Sequence, residues 1–376
     1  MVDLPHSDVD PEGLQEFSVV FTDRSLNHMS AKFQGVMRDL SAMLREVYNA
    51  EAVALVPGGG SYGMEAVARQ FGRGARVMVV RNGWFSYRWS QIFDAGGFAA
   101  EVDVVMARQS GNGAQAAYAP PPIETVVARI HETRPEVVFA PHVETSAGII
   151  LPDGYITAMA AAAHEVGALL VLDCIASGCI WVDMAATGVD VLISAPQKGW
   201  SASPSAGVVM MSAAAVARLE VTSSDSFALD LKKWRSIMAA YEAGGHAYHA
   251  TMPTDALVGF RAAMLETKAM GFAEAKAAQA ELGRAVRVLM AEKGLASVAA
   301  EGFGAPGVVV CYTDDPAVQN GATFRAQGLQ IAAGVPLQVG EGPDFRTFRI
   351  GLFGLDKLAD VPGTVARLEK AVSAVF

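Results

Sequence analysis

The stretch that decides the fold is LLVLDCIASGCIWVDMAATGVDVLISAPQKGW, residues 169–200. It contains two continuous apolar runs, one ending in Asp173 and the other followed closely by Lys198. Continuous apolar strands are buried on both faces, which is typical of parallel sheets covered by helices. Because one strand–helix–strand unit separates Asp173 from Lys198, we expect both side chains to lie beyond the carboxyl ends of neighbouring strands, where such sheets bind ligands.

The same alternation extends outward from this stretch, over about residues 50–215. Strand-like runs are expected at residues 52–56, 76–80, 137–143, 169–172, 191–194 and 208–211, with helices at 63–71 and 152–166. Such alternation predicts an α/β fold, with right-handed crossovers and a mostly parallel sheet sandwiched by helices.

The pattern changes near Ala256. A long helical stretch over residues 256–292, broken near Gly271, precedes short strands at 308–312 and 348–352 and a closing helix at 361–375. We therefore predict an N-terminal arm (1–25), a large domain (26–255) and a smaller C-terminal α+β domain (256–376).

Composition excludes several classes of function. The 376 residues are 52% hydrophobic and 18% charged, with a net charge of −10 and no basic run, which argues against nucleic-acid binding. No apolar stretch is long enough to cross a membrane, and the N-terminus does not look like a signal peptide. The three cysteines, Cys174, Cys179 and Cys311, are expected to be buried thiols of a cytoplasmic protein, with no metal site.

Lys198 and Asp173 are the first candidates for chemistry. Burial of a lysine after a strand lowers its pKa and makes a neutral nucleophile available, as a Schiff base requires. The alternative is a lysine that extends to solvent. A buried carboxylate at Asp173 needs a cationic partner such as a pyridinium nitrogen, although a helix cap or a salt bridge would also explain it.

Three further segments carry candidate site residues. PGGGSYGMEA (57–66) is a glycine-rich turn before a helix and suits a phosphate, but it is neither a Walker A loop nor the GxGxxG of NAD enzymes. APHVETSAGI (140–149) places a polar cluster after a strand. FRIG (348–351) places Arg349 in an apolar strand, where it could grip a carboxylate or form an ion pair with Asp344 or Glu341. The polar cluster consists of His142, Glu144, Thr145 and Ser146.

Taken together and in this order, these segments resemble the class V aminotransferases of the fold-type I enzymes that use pyridoxal 5′-phosphate (PLP). The resemblance is strongest to the alanine/serine–glyoxylate (serine–pyruvate) aminotransferase family and extends from about residue 28 onward. It implies that Lys198 carries the cofactor as a Schiff base and moves protons, and that Asp173 pairs with the pyridinium nitrogen. Arg349 would bind the α-carboxylate of the amino acid.

The resemblance also implies further cofactor-binding residues. Gly59, Gly60 and Ser61 match the phosphate-binding turn, and Phe85 in NGWFSYR matches the aromatic that stacks on the cofactor ring, with Trp84 as the alternative. The remaining matches are Thr145 near the phenolic oxygen, Ile175 on the other face of the ring, Gln197 beside the lysine, and Tyr248 and Thr251 in YHATMP. The last two would reach the phosphate of a partner subunit, which implies a homodimer with shared active sites.

The expected activity is a ping-pong transamination between a small amino acid and a 2-oxo acid such as glyoxylate or pyruvate. Open alternatives are a phosphonate or sulfonate amine donor, a PLP lyase of the cysteine-desulfurase kind, for which Cys311 looks too buried, and a non-catalytic protein of the same fold. The sequence departs from the family at residues 16–30, where a Pro-Gly-Pro segment is usual, and at residues 203–205, where Pro-Pro is common.

Overall fold

The computed structural model describes residues 9–10 and 12–376. The predicted arm at residues 1–25 therefore lies partly outside the described residues. The helices of the described part are α1 Ala31–Tyr48, α2 Gly60–Phe71, α3 Trp84–Gly96, α4 Ile123–Thr133, α5 Asp153–Glu165, α6 Met184–Thr187, α7 Ala213–Val221, α8 Leu231–Glu242, α9 Thr254–Met270, α10 Phe272–Glu292, α11 Pro316–Gln319, α12 Ala322–Ala326, α13 Leu355–Leu358 and α14 Val361–Val375.

The strands of the same part form one large sheet, one small sheet and two short hairpins. They are β1 Ala52–Pro57, β2 Arg76–Arg81, β3 Glu101–Met106, β4 Arg108–Gln109, β5 Tyr118–Ala119, β6 Val137–Pro141, β7 Val143–Glu144, β8 Ile149–Ile150, β9 Leu169–Asp173, β10 Val191–Ser194, β11 Ala206–Met211, β12 Val308–Tyr312, β13 Ala332–Ala333 and β14 Thr347–Gly351.

The large sheet has the order β1-β11-β10-β9-β6-β2-β3. The pairs from β10 to β3 are parallel, and only β11 runs against its two neighbours within the described sheet. Every residue of β6, β9, β10 and β11 is buried. Because successive side chains of a strand point to opposite faces, both faces of this sheet are covered. The predicted mostly parallel sheet between helices is confirmed.

The predicted boundaries agree closely where the apolar pattern is strong. Strand β10 and helix α14 have the predicted bounds, and the long helix is broken at Gly271, whose φ of 96° belongs to the left-handed region that favours glycine. Helix α2 begins three residues earlier than expected, because Gly60 already belongs to its first turn. Strand β3 was not predicted: it lies at the sheet edge, and its half-exposed EVDVVM pattern is only partly apolar.

The C-terminal part forms its own small sheet, with the order β12-β14-β13 and antiparallel pairing throughout. A second hydrophobic cluster joins strand β12 to the hairpin of β7 and β8, through residues such as Val143, Ile149, Val308 and Val310. The small sheet is thereby held against the carboxyl edge of the large one. The domain boundary at residues 255–256 stays a prediction. Among the described helices, none is long and apolar enough to cross a membrane.

Candidate active site

The predicted site lies at the carboxyl edge of the large sheet. Asp173 is the last residue of β9 and pairs with Pro141 of β6 on one side and Ile193 of β10 on the other. Lys198 follows β10 by four residues, in a turn over residues 196–200. The parallel register therefore brings the two residues to the same edge, as the sequence predicted.

Lys198 is half-buried and does not extend freely into solvent. Its Nζ lies 5.2 Å from the centroid of the Phe353 ring, which belongs to the segment after β14. Burial lowers the pKa of the Lys198 amine, and the positive charges of Arg349 and Arg88 lower it further. A larger share of the amine is therefore neutral near pH 7 than for an exposed lysine, which is the state a nucleophile needs.

Asp173 is a buried acid without a cationic partner in the described part of the chain. Its side chain is 7% exposed, and its Oδ1 accepts a hydrogen bond from the Ile175 backbone N–H at 2.9 Å. Burial raises the pKa of Asp173 to about 7, and Glu144 adds to the rise, while the hydrogen bond from Ile175 and the charge of Arg88 oppose it. A cation placed beside this carboxylate would relieve the cost of burying it.

The glycine-rich turn packs directly against the strand end that carries Asp173. A Cβ atom at Gly60 would lie 2.5 Å from Ile175 Cδ1, so any side chain there would displace Ile175. Gly59 caps helix α2 with extended backbone, and Gly60 and Ser61 form its first turn. Backbone N–H groups of a first turn have no acceptor within their own helix, and the helix dipole adds partial positive charge. Gly59, Gly60, Ser61 and Ile175 are thus brought together at the edge that holds Asp173.

The polar cluster of residues 142–146 is mostly scaffold. The fully buried Glu144 accepts hydrogen bonds from the N–H groups of Phe85 and Ser86, at 3.2 and 2.9 Å, and from Ser86 Oγ at 2.7 Å. Ser146 Oγ donates to Glu144 at 2.7 Å and accepts the Trp84 N–H at 2.9 Å. These bonds satisfy the N-terminus of α3 with a negative charge.

The other members of the cluster differ from each other. His142 Nδ1 lies 2.7 Å from Ser177 Oγ, and burial lowers the pKa of His142 to about 3, so this imidazole is neutral. Thr145 is 8% exposed and its hydroxyl has no hydrogen-bond partner in the described residues. Of the four, Thr145 is therefore the one whose side chain is free to meet a ligand.

Arg349 has an unused guanidinium edge. Its Nε donates to the Ala333 carbonyl at 2.8 Å, and no carboxylate pairs with it in the described part of the chain. The ion pair considered for Glu341 is not formed, because that carboxylate accepts nearby backbone N–H groups, including those of Leu337 and Val339. Burial lowers the pKa of Arg349, and its guanidinium lies 5.5 Å from the Phe85 ring centroid.

Phe85, rather than Trp84, faces this group of cations. The ring of Phe85 lies near Arg349 and also 5.3 Å from the guanidinium of Arg88. The Trp84 ring packs against Tyr87 instead, with centroids 6.0 Å apart. The geometry therefore favours Phe85 as the aromatic of the site.

Arg88 was missed from the sequence. Its Nη1 donates to Ser61 Oγ at 2.9 Å, so it links helix α3 to the glycine-rich turn. The only available signal was its position three residues after Phe85 in NGWFSYR, which places both side chains on one face of a helix.

Gln197, Tyr248 and Thr251 complete the predicted set. Gln197 is half-buried beside Lys198, and its Oε1 is buried without a hydrogen-bond partner in the described residues. Tyr248 and Thr251 are exposed, and their hydroxyl oxygens lie 3.2 Å apart. No described hydrogen bond joins these two to the turn of Lys198, so a single chain does not bring them into the group.

The cysteines are buried, as expected. Cys311 lies in β12 with 2% exposure, and burial raises the pKa of its thiol to about 12. A thiol that accepts sulfur must be mobile and ionisable, so Cys311 does not fit that role.

Comparison with known proteins shows similarity over nearly the whole chain. The family model described as Aminotransferase class-V matches residues 14–324. The chain is 29% identical over 358 residues to 2-aminoethylphosphonate–pyruvate transaminase of Burkholderia ambifaria, covering 94% of this chain and 89% of that protein. It is 25% identical over 351 residues to alanine–glyoxylate aminotransferase 1 of Saccharomyces cerevisiae, covering 88% of this chain and 86% of that protein.

The fold is shared with solved structures as well. Alanine–glyoxylate aminotransferase from Nostoc sp. superposes with a TM-score of 0.77 at 22% identity, covering 93% of this chain and 88% of that one. The predicted fold class is confirmed by this similarity.

Proposed function

Because this chain belongs to the class V aminotransferases, we propose that it transfers the amino group of a small amino acid of the alanine or serine type to a 2-oxo acid such as glyoxylate or pyruvate. The resemblance predicted from the motifs is confirmed, and the chain is a PLP-dependent transaminase. The substrate class and the roles of individual residues are our proposal.

The residues at the sheet edge fit the cofactor. Asp173 is a buried carboxylate with no cationic partner among the described residues, and a protonated pyridine nitrogen would supply one. The first-turn N–H groups of the glycine-rich turn could donate to the phosphate. The buried Oε1 of Gln197 has no hydrogen-bond partner among the described residues and could accept a bond from the cofactor. When bound, PLP supplies an electron sink conjugated to the substrate Cα. The residues that would hold the cofactor are Lys198, Asp173, Gly59, Gly60, Ser61, Phe85, Thr145, Ile175 and Gln197.

In this proposal the amine of Lys198 would hold the cofactor and would carry a proton to and from the reacting carbon. Its lowered pKa serves both tasks, since the neutral form attacks and the protonated form returns the proton. The negative charge of Asp173 would favour a protonated cofactor nitrogen. Glu144 holds the start of α3 and thereby positions Phe85, whose ring would lie against the cofactor.

The main support for the proposed substrate class is that the Arg349 guanidinium has N–H donors without a hydrogen-bond partner among the described residues. This group is half-buried, has no carboxylate partner among the described residues, and shares the Phe85 ring with the cofactor site. A guanidinium in that state needs an anion, and its planar fork matches a carboxylate. An α-amino acid and a 2-oxo acid both carry that carboxylate next to the reacting carbon.

The test is a panel of donors and acceptors. Purified protein with PLP is incubated with alanine, serine or 2-aminoethylphosphonate, each with glyoxylate or pyruvate, and the product amino acids are quantified. The proposal expects turnover with alanine or serine and parallel lines in double-reciprocal plots, which indicate a ping-pong order. If neither alanine nor serine is turned over, the proposed substrate class is wrong, although the cofactor dependence is not.

A phosphonate donor is the second candidate. It is favoured by the 29% identity to the Burkholderia ambifaria enzyme and by a second guanidinium, that of Arg88, near the site. In that case 2-aminoethylphosphonate would be the best donor of the panel.

The proposal includes a homodimer with shared active sites in the cytoplasm. Ser61 of the glycine-rich turn is exposed in the single chain, and Tyr248 and Thr251 form an exposed hydroxyl pair. Each subunit would complete the site of the other if the YHATMP segment of one subunit covered the glycine-rich turn of its partner.

The proposed cytoplasmic location rests on the unpaired, buried cysteines.

A further inference from the structure

We propose that Arg88 is a ligand of the cofactor phosphate, and that it rather than Arg349 supplies the positive side chain at that end of the cofactor. The inference rests on the cofactor site proposed above. It adds a residue that the sequence motifs did not assign and separates the tasks of the two arginines.

The first argument is position. Arg88 Nη1 donates to Ser61 Oγ at 2.9 Å, and Ser61 lies in the first turn of α2 beside Gly60. An anion held by the N–H groups of that turn would lie within reach of the same guanidinium. One side chain and one helix terminus therefore converge on one point.

The second argument is charge. Arg88 forms no ion pair in the described part of the chain, and its hydrogen-bond partner is a neutral hydroxyl. A guanidinium has five N–H donors, so most of its capacity is left over. A phosphate dianion is the kind of partner that a planar, permanently charged fork binds well.

The third argument is that the side chain is held in place. Helix α3, which carries Arg88, is fixed at its start by the buried Glu144, and the guanidinium lies 5.3 Å from the Phe85 ring centroid. Its charge also reaches both reacting groups, because it lowers the pKa of Lys198 and of Asp173. Arg88 is thus half-buried, in contact with the turn, and near enough to Lys198 and Asp173 for its charge to act on both.

The division of labour follows from the positions of the two arginines. Arg349 comes from the small sheet, and its charge acts on Lys198 more strongly than that of Arg88, whereas Arg88 is the one of the two that donates a hydrogen bond to the glycine-rich turn. The cofactor and an amino acid bring two anions, a phosphate and a carboxylate. In this proposal Arg88 binds the phosphate and Arg349 binds the carboxylate.

The experiment compares PLP with pyridoxal, which lacks the phosphate, on Arg88→Gln, Arg88→Lys and unmodified apoprotein. Dissociation constants are measured by titration of the absorbance that appears on binding. We expect Arg88→Gln to weaken PLP binding roughly 10- to 100-fold and to leave pyridoxal binding within about twofold, with Arg88→Lys in between.

Arg73→Gln is the matched control. Arg73 follows the other end of α2 and also donates to a serine hydroxyl, that of Ser223, at 3.2 Å. It should change neither dissociation constant. Thermal unfolding of each apoprotein checks that the variants are folded.

Two results would overturn the inference. Equal weakening of PLP and pyridoxal by Arg88→Gln would mean that Arg88 does not meet the phosphate. Unchanged PLP binding, together with a raised KM for donors that carry a second acid group, would place Arg88 on the substrate instead. If the unmodified protein does not bind PLP at all, the cofactor site itself fails.

Discussion

The guanidinium of Arg349 lies 5.5 Å from the centroid of the Phe85 ring. Arg349 belongs to β14 of the small sheet, whereas Phe85 begins α3 beside the large one. Their approach defines where the substrate carboxylate and the cofactor ring would meet. It also explains why neither sheet alone would form a complete site.

Replacement of Arg349 by glutamine should remove the ion pair with the α-carboxylate of the substrate. Two charge-assisted hydrogen bonds would be lost, so we expect kcat/KM for an amino-acid donor to fall roughly 100-fold or more, mainly through KM. Arg349→Lys should recover only part, because an ammonium cannot make the paired contact. Steady-state kinetics with alanine and serine measure the effect.

PLP binding provides the control for this variant. Arg349 is assigned to the substrate, so the PLP dissociation constant should change little. A variant that keeps its KM for amino acids while losing affinity for PLP would reverse the assignment.

Asp173→Asn should change how the apoprotein responds to pH. Burial raises the pKa of this acid to about 7 in the folded state, above its unfolded value. The folded state therefore binds more protons than the unfolded state, and the stability gained from the protonated acid is present below about pH 4 and lost as the pH rises through about 7. Asparagine cannot ionise, so we expect the stability advantage of the variant over the unmodified apoprotein to be about 1–3 kcal/mol larger at pH 8 than at pH 5.

Urea unfolding at both pH values, without PLP, measures this difference. Stability that differs equally at pH 5 and pH 8 would contradict the assigned titration. With PLP present, the same variant should lose most of its transaminase activity, because the cofactor nitrogen loses its negative partner.

Glu144→Ala should destabilise the fold and disturb the site through α3. The loss leaves the N–H groups of Phe85, Ser86 and Ser146 without their side-chain acceptor, at a cost of about 2–4 kcal/mol. Glu132→Ala removes an exposed carboxylate paired with Arg129 and should cost under about 1 kcal/mol. Denaturant unfolding of the two variants should show this order, and equal losses would refute the capping role.

Cys311→Ala should leave transamination intact. The thiol is buried and its pKa is raised to about 12, so it has no part in the proposed chemistry. Incubation of the unmodified protein with cysteine should release no sulfur to an acceptor thiol. Sulfur release that disappears in Cys311→Ala would favour the desulfurase alternative.

Much of the fold could be predicted from the sequence, because buried parallel strands are continuous apolar runs. Strand β10 follows from the apolar run at residues 191–194, and the helix break follows from the glycine at position 271. Strand β3 could not be recognised in this way, since an edge strand is exposed on one side and mixes acidic with apolar residues.

Site residues could be predicted from the sequence only where a charged side chain follows an apolar strand and therefore needs a binding partner. Asp173 and Lys198 stand out because charges at the ends of apolar strands are costly. The separate roles of Glu144 and Arg88 depend on contacts with residues 58 and 27 positions away in the chain, Ser86 and Ser61, and no local pattern encodes such contacts.

The most direct test of the account is the absorbance spectrum of the purified protein with PLP, compared with Lys198→Ala. We expect unmodified protein to show a visible absorbance band that sodium borohydride converts to a permanent label on the peptide containing Lys198. The variant should show neither the band nor the label while remaining folded. A label on another lysine, or an unchanged band in Lys198→Ala, would contradict the claim that Lys198 carries the cofactor.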